Sequence, residues 1–162
     1  MKLHSDAVTG FASGLLATAC MSGLSAAISR VQRPEGSPGP ATPKHYEMVG
    51  VRLAKIAFGE DTELESSTRI RLGEVLHFVF GGIMGIGFIK VTERLPIPPA
   101  LRGTVHGVAL WVAAFAGYFP FLRISEGVWT WDREDIARSF RSHLTYGNSV
   151  MLLTRGWQRA DR

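Results

Sequence analysis

Imidazole is the side chain whose ordinary pKa lies nearest neutrality, so the histidines of this chain set the range of proton chemistry open to it. Three of them, His77, His106 and His143, fall in stretches with little or no formal charge. Glu74 lies one helical turn before His77 and on the same face. Arg141 and Tyr146 flank His143, and Tyr118, Ser22 and Ser25 add hydroxyls in otherwise apolar surroundings. Such groups, brought together, can relay a proton, hold a small polar solute, or simply neutralise one another through a Glu74–Arg141 pair. Two histidines, here His77 and His143, could also ligate a haem iron or a metal ion.

Other chemistries lack their residues. Glu74-x-x-His77 is half of the Glu-x-x-His pattern of di-iron carboxylate bundles, and the second copy and further carboxylates are missing. Cys20 is the only cysteine, which excludes a disulfide scaffold and a zinc site built on thiolates. No G-x-S-x-G elbow, Walker loop, H-E-x-x-H or G-x-G-x-x-G after a strand occurs. Ser22 and Ser25 could meet a histidine as a hydrolase requires, yet nothing marks either as activated. The expectation is a non-enzymatic protein with no cofactor, a haem- or metal-binding redox protein being the alternative.

The elements that must position these side chains are read from charge. The chain of 162 residues carries a formal net charge of +4, but the charges are segregated: 7–29, 75–89 and 103–122 contain none. A bilayer's hydrocarbon core is about 30 Å thick and needs about 20 mainly apolar residues per helix. Helices are therefore expected over about 7–29, 72–91, 103–122 and 136–155, all within a single integral membrane domain of residues 1–162. The fourth is the weakest, because only Ser142–Thr154 is free of formal charge; it spans only if packed among the others. The first reads as a span rather than a cleaved leader, since Asp6 accompanies Lys2 before a run that is long for a signal peptide. The fold class is all-α: a four-helix transmembrane bundle with an amphipathic surface helix between helices one and two.

That surface helix lies in the linker of residues 30–71. Gln32–Pro43 is rich in Pro, Gly and Ser and should be extended. Thr42–Pro43 reads as a helix start, after which Tyr46, Val49, Leu53 and Ile56 recur at helical spacing, with Lys44, Arg52 and Lys55 between them. Such a stripe suits a membrane surface or the end of the bundle. Glu60, Asp61, Glu63 and Glu65 then read as a solvated turn. Pro96, Pro98 and Pro99 stiffen the next connection and favour an antiparallel hairpin of helices two and three.

Lipid does not drive helices together, so close packing needs small residues and a few polar contacts. Gly10, Gly14, Thr18 and Ser22 form one stripe; Gly81 with Gly85, and Gly103 with Gly107, form others; Ala109, Ala113 and Gly117 extend a small-residue row. Tight packing accounts for them without a pore. At about 1.5 Å per residue, His77 and His143 fall roughly 8 and 10 Å inside the face that carries the first and third connections, and His106 near the opposite face. A buried polar layer of Glu74, His77, Arg141, His143, Tyr118, Tyr146, Ser22 and Ser25 is the candidate site.

Basic residues gather on 30–71 and 123–141 more than elsewhere, so these connections are expected in the cytoplasm and both termini outside. They do not form one stripe with aromatics, which argues against nucleic acid as a partner. The bilayer itself is the expected partner. A homo-oligomer or an accessory role in a membrane complex stays open, with Trp129, Trp131 and the Tyr46–Ile56 helix as contacts.

Several segments together resemble the YagU-like family of small bacterial inner-membrane proteins. They are Met21–Ser22 closing a small-residue helix, the Pro-rich stretch after it, His77 with Phe80–Gly81, Trp111 with Gly117 and Pro120, and His143-Leu-Thr-Tyr146-Gly147. The resemblance implies a four-helix fold in the bacterial inner membrane and assigns no catalytic residue.

Overall fold

The computed structural model describes residues 2–32, 51–52, 54–56, 58–59, 63, 65–92, 94–124 and 126–160. Among these residues helices predominate and no strand occurs. The long elements are α1 (Lys2–Gln32), α2 (Ser66–Thr92), α3 (Arg102–Val112) and α4 (Arg133–Ala160). A 3-10 turn, Pro99–Leu101, leads into α3, which continues through a π-helical stretch, Ala113–Tyr118, into a last α-turn, Phe119–Phe121. The expected Pro-rich linker from residue 33 onward, and the Tyr46, Val49 and Leu53 part of the amphipathic helix, lie outside the described residues. Residues 51, 52, 54–56 and 58 are helical, and Gly59, at φ 110°, ends that helix with its N–H on the Lys55 carbonyl.

Among the described residues three segments are long and apolar enough to cross a membrane: Asp6–Ile28, Ser66–Thr92 and Pro99–Phe121. Only 28%, 33% and 22% of their respective apolar windows are buried within the chain, so most of that apolar surface faces outward. Val8, Leu16, Leu24, Val75, Ile83, Val105 and Val112 are all exposed, whereas the small polar residues Ser13, Thr18, Thr92 and Thr154 are buried. Water would oppose this distribution and lipid accommodates it.

α4 is different. Its buried residues, Tyr146, Gly147, Val150, Met151 and Thr154, form a single stripe, and charges cover both ends. It starts earlier than the apolar run implies because Asp132 caps it, accepting the Asp135 N–H at 2.8 Å. Arg138 pairs with Glu134 and Asp135 on the exposed first turns, which adds little stability.

α1 packs antiparallel on α2 by bringing backbone to backbone. Gly10 lies against Gly85 and Ile86, and Gly14 against Gly81 and Gly82. A Cβ at Gly14 would sit 2.9 Å from the Gly82 Cα, so only hydrogen permits this approach. Gly103 and Gly107 on α3 meet Gly147, Asn148 and His143 on α4 in the same way. The row Ala109, Ala113, Gly117 is instead exposed. The buried face of the third helix runs through Gly103, Gly107, Ala114 and Phe115, and the π-helical stretch carries its continuation away from the expected row.

The hairpin of α2 and α3 is looser than its short connection implies. α2 lies mainly on α1, and α3 on α4, while α2 and α3 approach only briefly. Pro98 is extended (ψ 134°), which lets the two helices splay. Rings bridge the seam: Phe80 meets Tyr118 at 6.0 Å and Phe88 meets His106 at 5.2 Å.

The π-helical stretch precedes a proline, and the two are linked. Pro120 lacks an N–H and its ring would crowd the carbonyl four residues earlier in a regular helix. Widening the turn, with the Phe119 N–H on the Ala114 carbonyl, accommodates it. The helix then closes in a Schellman pattern: Ile124 N–H binds the Phe119 carbonyl at 2.9 Å and Arg123 N–H the Pro120 carbonyl at 3.1 Å. Phe115, Phe119 and Ile124 are buried there beneath Trp131 and Val128. The main core, Ala17, Met21, Phe88, Ile89, Tyr146, Val150 and Met151, lies between α1, α2 and α4.

Candidate functional site

The eight residues expected to form one buried layer fall into three groups. Ser25 and Ser142 meet hydroxyl to hydroxyl at 2.9 Å, joining α1 to α4. Ser142 also donates to the Arg138 carbonyl at 3.0 Å. His143 is half-buried, with Nδ1 2.9 Å from the Ser139 carbonyl and its ring edge-on to Phe115 at 5.3 Å. Ser139 in turn accepts the Trp111 indole N–H at 3.1 Å. Trp111 is therefore an interior link between α3 and α4 rather than part of an interfacial belt. Ser22 is half-buried one turn from Ser25, and His77 is half-buried with its ring edge-on to Phe78.

The level of His77 follows from a contact deeper in the chain. Tyr146 on α4 donates to the Gly81 carbonyl on α2 at 2.5 Å. His77 lies one turn before Gly81, and His143 lies about one turn before Tyr146 on a helix running the same way. On the α2–α4 contact the two histidines fall near one level, close to Ser142; on the α1–α2 crossing, where Gly14 meets Gly81, His77 falls opposite Thr18, about two turns from Ser25.

Glu74 and Arg141 do not belong to this group. Both are exposed, and Arg141 bonds the Ala137 carbonyl of its own helix at 3.2 Å. No ion pair joins them, because each rotates off its helix face away from the contact between helices. Tyr118 lies beyond the layer at the end of the π-helical stretch, against Phe80 and Phe119. Tyr146 belongs to the core, its ring 6.1 Å from that of His106.

His106 was expected near the far face. It lies one turn into α3, between the rings of Phe88 near the end of α2 and of Tyr146, with Nε2 buried and unbonded. Its place one turn after the buried Gly103 and next to the buried Gly107 was the available signal. Among the described residues, no three His, Cys, Asp or Glu side chains gather where they could hold a metal ion.

Two concave regions lie at opposite ends of the molecule. One, of about 570 Å³, is an open depression lined by Pro120, Arg123, Glu126, Gly127, Trp129 and Thr130. The other, of about 40 Å³, lies where α2 ends, α3 begins and α4 nears its end, and Thr92, Arg102, Thr154 and Arg155 line it. Neither is lined by His77 or His143.

Fold and site together define the class as a helical protein with three helices long and apolar enough to cross a membrane. No family model, no curated protein and no solved structure matches the chain.

Proposed function

We propose that this chain is a multi-pass membrane protein, a four-helix transmembrane bundle in which the histidine-bearing end responds to protonation. The fourth span is α4, packed through its Tyr146–Thr154 stripe, with Arg141 and Arg155 reaching toward the two surfaces. The segment around residues 51–58 lies on the membrane surface. In support, the Arg52 Nε donates to the Leu122 carbonyl at the end of the third helix, at 3.0 Å. That end faces the cytoplasm and the termini face outward. The inner membrane and kinship with YagU-like proteins complete the reading.

The carrying observation is the Ser25–Ser142 contact between α1 and α4, one residue before His143 on α4. It is a small polar junction between two helices, on the helix that carries His143. Protonation within low-dielectric surroundings is costly and loosens such a junction. A sensor is favoured over a conduit, because glycine-on-glycine crossings occupy the middle and the two concave regions lie at opposite ends.

Cys20, exposed and the only cysteine, provides a label site on α1 about one turn from Ser25. With a fluorophore there, reconstituted protein should show a transition between pH 8 and 5 that His77→Ala and His143→Ala each shift or abolish. Superimposable curves in both variants would refute the sensor. Recovery of the protein in the soluble fraction after cell lysis would refute the membrane assignment itself.

A further inference from the structure

At the end opposite the histidine layer, the cavity of about 40 Å³ combines features that the sensor does not use. Thr154 lines it and is 2% exposed, yet its Oγ1 is buried without a hydrogen-bond partner. Several other hydroxyls on these helices are bonded within their own helix, although Ser13 Oγ on α1 is likewise buried without a partner. Thr18 bonds the Gly14 carbonyl, Thr92 the Phe88 carbonyl, Ser142 the Arg138 carbonyl and Thr145 the Arg141 carbonyl, each four residues back. Thr154 has the Val150 carbonyl in the equivalent place and leaves it unused. A buried hydroxyl without a partner costs roughly 1–3 kcal/mol, so this one calls for an acceptor from outside the chain.

The rest of the lining tells what that acceptor is. Arg102 and Arg155 both line the cavity, and the Arg102 Nε is buried and unbonded. Among the described residues no carboxylate pairs with either, and none lines the cavity. α2 and α4 end nearby, and their carbonyls attract guanidinium groups, but that attraction leaves the Thr154 hydroxyl and the Arg102 Nε unsatisfied. Several donors and no acid, in a space of this size, suit one tetrahedral oxyanion held by arginine. Phe88, Ile89 and Met151 form the apolar side of the lining, where a hydrocarbon-bearing neighbour would be at home.

We infer that the Arg102–Thr154–Arg155 cavity binds a phosphate group, carried by an anionic phospholipid headgroup or present as free phosphate. The site lies where the Pro99–Phe121 segment begins, at the depth of lipid headgroups when that segment spans. It is independent of the protonation response, which belongs to the other end.

The test uses the full chain purified in a maltoside detergent and phosphate-free buffer. Binding of short-chain phosphatidylglycerol, of inorganic phosphate, and of a diacylglycerol without phosphate is followed by native mass spectrometry and calorimetry. The wild type should take up one phosphate-bearing ligand and no diacylglycerol. Saturation by phosphatidylglycerol alone identifies the headgroup as the source, and saturation by inorganic phosphate identifies the free anion. Thr154→Val, which keeps the shape and removes the hydroxyl, should weaken binding about tenfold; Arg102→Gln with Arg155→Gln should abolish it. Arg159→Gln, an exposed residue outside the lining, should bind as the wild type does. Circular dichroism and size exclusion establish that each variant is folded, and if the double variant is not, Thr154→Val decides alone. Thr154→Val binding within twofold of the wild type, or wild type that binds neither probe, overturns the inference.

Discussion

Tyr146 and Gly81, separated by 65 residues in sequence, are joined by a hydrogen bond of 2.5 Å from the phenol to the backbone carbonyl. It is a specific polar link between two helices whose backbones otherwise approach only briefly. Gly81 permits it because its own Cβ position is already occupied by Thr18 Oγ1 from α1. Three helices therefore meet at one glycine: Thr18 from one side, Tyr146 from another.

Removing only the hydroxyl tests this link. Tyr146→Phe keeps the ring against His106 and leaves the Gly81 carbonyl with its helical partner alone. A loss of about 1 kcal/mol is expected, within the range for interhelical hydrogen bonds in membranes. Thermal unfolding in detergent should show a lower midpoint with helix content unchanged.

The glycine crossings make a sharper contrast between positions. Gly14→Leu places a side chain against Gly82 Cα and the Gly81 carbonyl, both rigid backbone, so α1 and α2 must separate. A loss of several kcal/mol is expected, on the order of the larger overpacking penalties. Gly23 and Gly87 have nothing within 4 Å of a Cβ, so Gly23→Ala and Gly87→Ala should be neutral or slightly stabilising, because alanine is the better helix former. Parallel detergent melts of the three variants check the order.

These crossings were legible in the sequence, since Gly10, Gly14, Gly81 and Gly85 sit at four-residue spacing inside charge-free runs and only close packing rewards that pattern. An approximate level for His77 and His143 was readable from fixed helix rise and alternating direction, and the α2–α4 contact agrees with it while the α1–α2 crossing does not. Rotation about each helix axis was not readable. Glu74 shares a nominal face with His77, but a modest roll of α2 turns the longer charged side chain outward, and no residue type records that roll. Nor was the π-helical stretch visible, although Pro120 made some departure from regular helix necessary. The Thr154 site escaped notice because Arg102 comes from a helix distant in sequence from Thr154 and Arg155, joined to them only once α3 and α4 are packed.

The contact between Ser25 and Ser142 predicts a cross-link. With Cys20→Ser removing the native thiol, cysteines at both serine positions place two sulfurs where two hydroxyl oxygens now lie 2.9 Å apart. Mild oxidation in membranes should give an intrachain disulfide, seen as a mobility shift reversed by reductant. Pairing Ser142 with exposed Leu24 instead should give far less product, because the Leu24 side chain is directed away from the packed face. Equal yields from the two pairs would contradict the placement of α1 on α4.

Arg123 offers a test in which stability and binding should move apart. It holds φ at 56°, the left-handed conformation that a Schellman ending needs at its glycine position, and an L-residue pays about 1 kcal/mol there. Its neighbours Phe119 and Ile124 are buried against one another, so the ending is fixed by packing whatever side chain stands between them. Arg123→Gly should therefore raise the unfolding free energy by up to about 1 kcal/mol, less the extra chain entropy that glycine loses on folding, and so raise the melting midpoint. The same variant removes the basic side chain from the open depression beside exposed Trp129. It should weaken adsorption of detergent-solubilised protein to vesicles rich in phosphatidylglycerol relative to neutral vesicles, by roughly the 1 kcal/mol that one basic residue contributes near an anionic surface. A variant that is both less stable and unchanged in adsorption would show that the arginine is there for a contact within the fold.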